Sequence, residues 1–139
     1  MTAVLHNGVL QVRGAAGDDL IRLTTQAERI RIEGVAQTFE ARSVRQIEIE
    51  AGAGNDIVDL SELLDVPSFV SISGESKTPI IVNGGTGNDV LIGSPGNDRL
   101  IGGSGHDKLI GLAGDDVLFG ENGDEAGLQN RAKDFPSEW

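Results

Sequence analysis

The chain has no cysteine and no tyrosine, and aromatic residues make up only 4% of its 139 residues. The absence of cysteine excludes disulfide bonds and thiolate metal sites, and the scarcity of aromatics leaves the core to aliphatic side chains. Lysine and arginine number 11 against 22 aspartates and glutamates, which gives a net charge of −11. Because nucleic-acid binding needs clusters of cations that neutralise phosphates, this composition argues against a nucleic-acid partner and favours cations as ligands.

Long apolar runs are also missing. No stretch of about 18 apolar residues predicts a transmembrane segment. The opening residues, MTAVLHNGVL, lack the basic region and the long apolar region of a cleaved signal peptide. No loop has the ligand spacing of an EF-hand, which excludes that class of calcium site.

Glycine, in contrast, is abundant, with 20 residues, and many of them fall in a nine-residue repeat. Four units follow one another without a gap: GGTGNDVLI (84–92), GSPGNDRLI (93–101), GGSGHDKLI (102–110) and GLAGDDVLF (111–119). Each unit has Gly at positions one and four, Asp at position six and Leu at position eight. A fifth unit, GENGDE, begins at residue 120 and breaks off, and isolated relatives occur at 14–22 (GAAGDDLIR) and 51–59 (AGAGNDIVD).

Between the isolated units, polar and apolar residues alternate, as in RIRIEG at 29–34 and RQIEIEAG at 45–52. A period of two predicts β-strands, and signals for helices are nearly absent. We therefore expect an all-β chain in three parts that form one folding unit. These are a strand-rich part at 1–83, a regular repeat part at 84–125 and a C-terminal tail at 126–139.

The pattern shared by the complete units, G-G-x-G-x-D-x-U-x with U a large apolar residue, resembles the RTX, or hemolysin-type, calcium-binding repeat family. The close match covers residues 84–119. The resemblance implies a right-handed parallel β-helix or β-roll, in which six residues form a loop and three form a short strand. Two repeats would complete an 18-residue coil, and residues 1–83 would form a degenerate, less regular solenoid.

Elementary chemistry agrees with calcium as the ligand. Glycines leave loop carbonyls uncovered, and carbonyl and carboxylate oxygens are the ligands that Ca²⁺ prefers. With an 18-residue coil, equivalent loops stack about 4.8 Å apart, roughly twice a Ca–O distance of about 2.3–2.6 Å. A calcium ion therefore fits between stacked loops.

The same geometry predicts two columns of acids. One column contains Asp89, Asp107 and Glu125, the sixth-position acid of the broken unit, with Asp124 beside it; the other contains Asp98 and Asp116. The resemblance implies that these side chains bind Ca²⁺ together with backbone carbonyls. The glycines expected to supply carbonyls or loop geometry are Gly84, Gly87, Gly93, Gly96, Gly102, Gly105, Gly111 and Gly114.

Three other residues have alternative interpretations. Asp19 and Asp56, in the isolated units, are further candidate ligands, but each could simply close a turn. His106 lies at the variable fifth position, where Asn88 and Asn97 also occur, and is interpreted as an ordinary loop residue.

These patterns predict a calcium-binding module that folds on binding Ca²⁺. We expect it to be a structural or interaction domain of a secreted bacterial-type protein and not an enzyme. The alternative is a polysaccharide lyase or epimerase on a β-solenoid, or its glycan-binding module. Against this alternative, we find no converging acid and base outside the repeats, and few aromatics for stacking on sugars. A flat array of threonines, as ice binding would require, is absent as well.

Two further expectations concern location and contacts. RTX proteins generally leave the cell by a type I route without a cleaved signal peptide, so we expect an extracellular protein. In each strand, position nine should face outward if Leu at position eight faces inward. This places Ile92 beside Ile110 and Ile101 beside Phe119, and the apolar pairs predict self-association. No sequence feature identifies a protein or glycan partner.

Overall fold

The computed structural model describes residues 1–63 and 80–120 and the backbone of residues 125–127. In these residues every regular element is a β-strand, apart from one 3₁₀ turn at Ala41–Ser43, so the all-β prediction is confirmed. The strands, in chain order, are β1 (Thr2–His6), β2 (Val9–Arg13), β3 (Leu20–Gln26), β4 (Arg29–Ile32), β5 (Thr38–Glu40), β6 (Gln46–Ala53), β7 (Ile57–Asp59), β8 (Ile80–Thr86), β9 (Val90–Ile92), β10 (Asp98–Ser104), β11 (Lys108–Ile110), β12 (Val117–Phe119) and β13 (Glu125–Gly127). Among the described residues, no helix has the length and apolar character needed to cross a membrane.

The strands form two sheets. Sheet A has the order β1-β2-β6-β8-β10-β12, and sheet B has the order β13-β11-β9-β7-β3-β4-β5. From β6 onward, successive strands of the chain alternate between the two sheets. Pairing is parallel throughout the repeat part, and in the described residues antiparallel pairing is confined to β1–β2 and to β3–β4–β5. The antiparallel strands therefore lie at the N-terminal end of both sheets.

The strand register follows the nine-residue repeat. Leu100 pairs with Val82 and Leu118 pairs with Leu100, an offset of 18 residues that is twice the repeat length. The N-terminal strands keep the same stacking with longer offsets, 37 residues from β2 to β6 and 33 residues from β6 to β8. The first interval contains β4, β5 and the 3₁₀ turn, and the second contains residues 64–79, which lie outside the described residues. Loops far apart in sequence are thus brought next to one another.

The core lies between the two sheets and is filled by alternate residues of each strand. In the repeat part, the leucine at position eight of each complete unit is fully buried: Leu91, Leu100, Leu109 and Leu118. The N-terminal core is larger and includes Leu10, Val12, Ile21, Leu23, Ile30, Ile32, Phe39, Val44, Ile47, Ile49, Val58 and Leu60. Apolar burial per residue is therefore concentrated in the N-terminal strands.

Two strands lie where the alternating sequence pattern predicts them. The alternating stretches at 29–34 and 45–52 contain β4 and nearly all of β6, so these strand predictions are confirmed. Strand β8 spans residue 84, so the expected division between 1–83 and 84–125 falls inside a strand; the division itself stays a prediction. Residues 128–139, most of the expected tail, lie outside the described residues.

Candidate metal centre

Six loops between the sheets carry the acids singled out by the repeat. Loops 14–19, 51–56, 84–89 and 102–107 lead from sheet A to sheet B, and we call them the first column. Loops 93–98 and 111–116 lead from sheet B to sheet A, and we call them the second column. Because the strands on either side are parallel neighbours, the loops of one column lie on top of one another.

In the first column, the sixth-position aspartates form a ladder. The backbone N–H of Asp19 donates to Oδ1 of Asp56, that of Asp56 to Oδ1 of Asp89, and that of Asp89 to Oδ1 of Asp107, each at 2.8 Å. The structure thus places Asp19 and Asp56 in line with Asp89 and Asp107. The last three of these carboxylates are buried, with at most 3% of each residue exposed.

The second column repeats this arrangement on the opposite side of the sheets. The backbone N–H of Asp98 donates to Oδ1 of Asp116 at 2.8 Å, and both residues are buried. The predicted separation of the acids into two columns, Asp89 with Asp107 and Asp98 with Asp116, is therefore present in the structure.

A second ladder, which was not anticipated from the sequence, involves the fifth position. Oδ1 of Asn55 accepts from the N–H of Asn88 at 2.9 Å, and Oδ1 of Asn88 accepts from the N–H of His106 at 2.9 Å. In the second column, Oδ1 of Asn97 accepts from the N–H of Asp115 at 2.8 Å. Fifth-position side chains therefore reach toward the following loop, whereas sixth-position carboxylates reach toward the preceding one. The recurrence of Asn at position five was the available signal.

The first-position glycines leave space where oxygens converge. A Cβ built on Gly84 would lie 2.5 Å from Oδ2 of Asp89 and 2.5 Å from the carbonyl oxygen of Gly102. Two oxygens that are equally close to one point are separated by at most twice that distance. One Ca²⁺ ion with ligand distances of about 2.3–2.6 Å can bind two oxygens within that separation. A side chain at position one would collide with both oxygens.

Equivalent arrangements occur at other loops. At Gly93, a Cβ would lie 2.6 Å from Oδ2 of Asp98 and 2.8 Å from the carbonyl oxygen of Gly111. At Gly102, a Cβ would lie 2.5 Å from Oδ2 of Asp107. Three fourth-position glycines have left-handed backbones that pack closely on the carbonyl of the preceding loop in their column: Gly87 on Gly54, Gly105 on Gly87 and Gly114 on Gly96. The predicted glycines thus allow close approach of stacked loops.

The electrostatics of the columns are unfavourable without a cation. Burial, followed by the charge of Asp116, raises the pKa of Asp98 to about 8. Burial also raises the pKa of Asp56, and the neighbouring carboxylates of Asp89 and Asp19 add to this effect. Oδ2 of Asp56 is buried and has no hydrogen-bond partner. A nearby cation would favour the charged form of such buried carboxylates and lower their pKa.

Side chains alone do not complete a metal site. Within the part of the chain that the structure describes, no group of three or more His, Asp or Glu side chains is placed to hold a metal ion. Loop carbonyls would therefore have to supply most of the coordination, as they commonly do for Ca²⁺. The oxygens near Gly84 and Gly93 provide the mixture of carboxylate and carbonyl that such a site needs.

The broken fifth unit departs from the expected register. Glu125 pairs with Lys108, and Ala126 pairs with Leu109, so the offset falls by one residue from the 18 of the complete units. The expectation that Glu125 stacks on Asp107 is therefore wrong, because the loop before β13 is one residue shorter than the loops of the complete units. Asp124 lies outside the described residues. Metal binding by Asp124 or Glu125 stays a prediction.

The outward-facing apolar residues lie where the repeat predicts. Ile92 pairs with Ile110 in sheet B, and Ile101 pairs with Phe119 in sheet A. All four are partly buried, and the Arg99 guanidinium lies 4.6 Å from the centre of the Phe119 ring. The sequence analysis missed the more exposed pair formed by Leu20 and Ile57 in sheet B.

Part of the chain matches one known protein family. The family model of the RTX calcium-binding nonapeptide repeat matches in four copies, which cover residues 48–62, 81–109 and 101–125. The matched segments include the loops of Asp56, Asp89, Asp98, Asp107 and Asp116, but not the loop of Asp19. No curated protein and no solved structure matches the chain significantly.

Proposed function

We propose that this chain, which contains RTX calcium-binding nonapeptide repeats, binds Ca²⁺ between stacked loops and completes its folding when it does so. Repeats of this family bind Ca²⁺, and they are typical of secreted proteins and of structural, non-catalytic regions.

We place the ions between consecutive loops of each column. In the first column, the site between loops 84–89 and 102–107 would use Oδ2 of Asp89 and the carbonyl oxygen of Gly102, with further oxygens from the two loops. In the second column, Asp98 and the carbonyl oxygen of Gly111 would take the same roles. The convergence of these oxygens at Gly84 and Gly93 is the observation that carries the proposal. The offset of 18 residues between parallel strands supports a coil of this length, and a right-handed sense of the coil stays a prediction.

Binding and folding are linked because the repeat part has little else to stabilise it. Each complete unit buries one leucine for nine residues, whereas β2, β3, β4 and β6 each bury two or more apolar side chains. Two carboxylates about 4.8 Å apart repel by about 3 kcal/mol at an effective dielectric near 20. Calcium replaces this repulsion by attraction, so its binding free energy becomes folding free energy. The N-terminal strands should fold without calcium and present loop 51–56 to the repeats.

For the biological role, we infer a non-catalytic structural or interaction domain of a secreted protein, exported by a signal-peptide-independent type I route. Calcium is scarce inside cells and abundant outside, so a module of this kind would complete its folding after export. Self-association through the apolar pairs Ile92–Ile110 and Ile101–Phe119 stays a prediction. Sedimentation of the calcium-loaded chain at high concentration would test it, and a strict monomer would count against it.

The proposal is tested by titrating the chain with Ca²⁺ and following β-structure by circular dichroism, with Mg²⁺ as the control ion. We expect a gain of β-structure with Ca²⁺, reversal by chelator and little response to Mg²⁺. The variant Asp89→Asn keeps the shape and the Oδ1 acceptor of the ladder but loses the charge, so its calcium midpoint should rise. Asp115→Asn is the matched control, since Asn already occupies the fifth position at Asn88 and Asn97. Identical spectra and stability in chelator and in millimolar Ca²⁺ would refute the proposal.

A further inference from the structure

The second residue of each loop takes one of two backbone conformations. Gly52, Gly85 and Gly103 have φ values of +115°, +105° and +97°, and Leu112 has φ of +70°. Ala15 and Ser94, at the same position of their loops, are not among the residues with positive φ. A left-handed backbone costs a non-glycine residue about 1–2 kcal/mol, so its presence at Leu112 indicates that the surrounding loop imposes it.

The two conformations differ in what the second residue does to the aspartate of its own loop. Where φ is not positive, the backbone N–H points at the carboxylate: the N–H of Ser94 donates to Oδ2 of Asp98 at 2.7 Å, and the N–H of Ala15 donates to Oδ2 of Asp19 at 2.5 Å. In the loop with Gly52 at this position, Oδ2 of Asp56 has no hydrogen-bond partner although it is buried. The loops of Ala15 and Ser94 therefore bind their own carboxylates through the second residue, whereas the loop of Gly52 leaves Oδ2 of Asp56 without such a bond.

Ser94 holds Asp98 with its side chain as well. Its hydroxyl lies 2.9 Å from Oδ1 and 3.1 Å from Oδ2 of Asp98, and its single proton can serve one of them at a time. The hydroxyl oxygen accepts the N–H of Gly96 at 3.1 Å, which fixes its orientation. Ser94 is 3% exposed, so these bonds form away from competing water. None of the other complete repeats has a hydroxyl residue at position two.

The bonds from Ser94 converge on the oxygen that faces the proposed ion. Oδ2 of Asp98 is the atom that would lie 2.6 Å from a Cβ on Gly93, beside the carbonyl oxygen of Gly111. A cation that uses this oxygen has to displace or share two hydrogen-bond donors from Ser94. Each hydrogen bond that the cation displaces weakens its binding at this loop.

We propose that Ser94 is a latch that holds Asp98 in the calcium-free protein and so weakens the Ca²⁺ site that uses this carboxylate. This inference rests on the proposed function, because it concerns the affinity of one of the proposed sites. Ser94 acts as a positioning residue through Asp98.

The test compares calcium titrations of the full chain by isothermal calorimetry for the wild type, Ser94→Ala and Ser94→Gly. Ser94→Ala removes the hydroxyl and keeps the N–H, whereas Ser94→Gly also permits the left-handed backbone seen at Gly85 and Gly103. We expect calcium binding at the Asp98 site to tighten several-fold in Ser94→Ala and about tenfold in Ser94→Gly. Ala15→Gly is the matched control, since it makes the same change in a loop outside the tandem repeats, and it should leave the affinity of that site unchanged.

Three outcomes are decisive. Tighter binding in the order wild type, Ser94→Ala, Ser94→Gly supports the latch. Weaker binding in both Ser94 variants would overturn it, because Ser94 would then be a ligand of the ion. Unchanged affinity in variants whose chelator-treated and calcium-loaded spectra match the wild type would overturn it as well. Failure of the wild type to bind Ca²⁺ would instead refute the proposed function, so the two failures are distinguishable.

Discussion

Replacing Gly84 by alanine tests the proposed first-column site directly. The added Cβ would lie 2.5 Å from Oδ2 of Asp89 and from the carbonyl oxygen of Gly102, whereas real Cβ contacts essentially never fall below 3.0 Å. The φ of Gly84 is not positive, so the effect comes from the contact and not from backbone strain. Overpacking of this kind costs about 1–3 kcal/mol, and the methyl group would also fill the space between two proposed calcium ligands.

The assay is thermal unfolding of Gly84→Ala in chelator and in millimolar Ca²⁺, combined with a calorimetric count of bound ions. We expect loss of about one bound ion and a decrease in calcium-dependent stabilisation that exceeds the decrease in chelator. Gly17→Ala is the control, because a Cβ at Gly17 would meet no atom within 4 Å. An unchanged ion count and calcium midpoint in a folded Gly84→Ala variant would show that no ion binds at this glycine.

Three other predictions follow from neighbouring residues. In the strand register Ala51 is the counterpart of Gly84. Ala51→Gly should therefore remove the methyl group at position one of loop 51–56, beside the buried Oδ2 of Asp56, and add one bound ion in calorimetry; an unchanged number of bound ions would contradict this. Burial and Asp116 raise the pKa of Asp98 to about 8, so the folded, calcium-free protein should lose stability as pH rises from about 4 to 8 and Asp98 loses its proton. The calcium midpoint should fall over the same range, because the deprotonated carboxylate binds the ion; a midpoint independent of pH would contradict this. Finally, Ile49 is buried in the N-terminal core, so Ile49→Ala should lower the free energy of unfolding by about 2–5 kcal/mol both in chelator and in Ca²⁺. A decrease seen only in Ca²⁺ would show that the N-terminal strands also need the ion.

The nine-residue period and the coil implied by the family resemblance together predicted the strand register of the repeat part. Gly at positions one and four and Asp at position six imply a loop, and Leu at position eight implies one inward side chain. Together with the 18-residue coil that the family resemblance implies, these features predict the columns Asp89–Asp107 and Asp98–Asp116 and the buried Leu91. They could be predicted because each unit contacts mainly its neighbours, so local periodicity determines the stacking.

The sequence did not decide whether Asp19 and Asp56 belong to the first column. Asp19 and Asp56 align with Asp89 only because 37 and 33 residues of chain return to the same place in the stack. Those intervals depend on tertiary packing, including the antiparallel strands β4 and β5, and no period records them. The proposed role of Ser94 could not be predicted either, because it depends on the backbone φ at position two, which the repeat pattern does not specify.

Hydrogen exchange measured by mass spectrometry, with and without calcium, tests the central claim most directly. The amides of Asp89 and Asp98 donate to the carboxylates of Asp107 and Asp116, so their protection reports the stacking of loops in each column. We predict that peptides from residues 84–119 exchange rapidly in chelator and become protected in millimolar Ca²⁺, while peptides from residues 9–59 are protected in both. Equal protection of residues 84–119 in chelator and in Ca²⁺ would contradict calcium-dependent folding of the repeats.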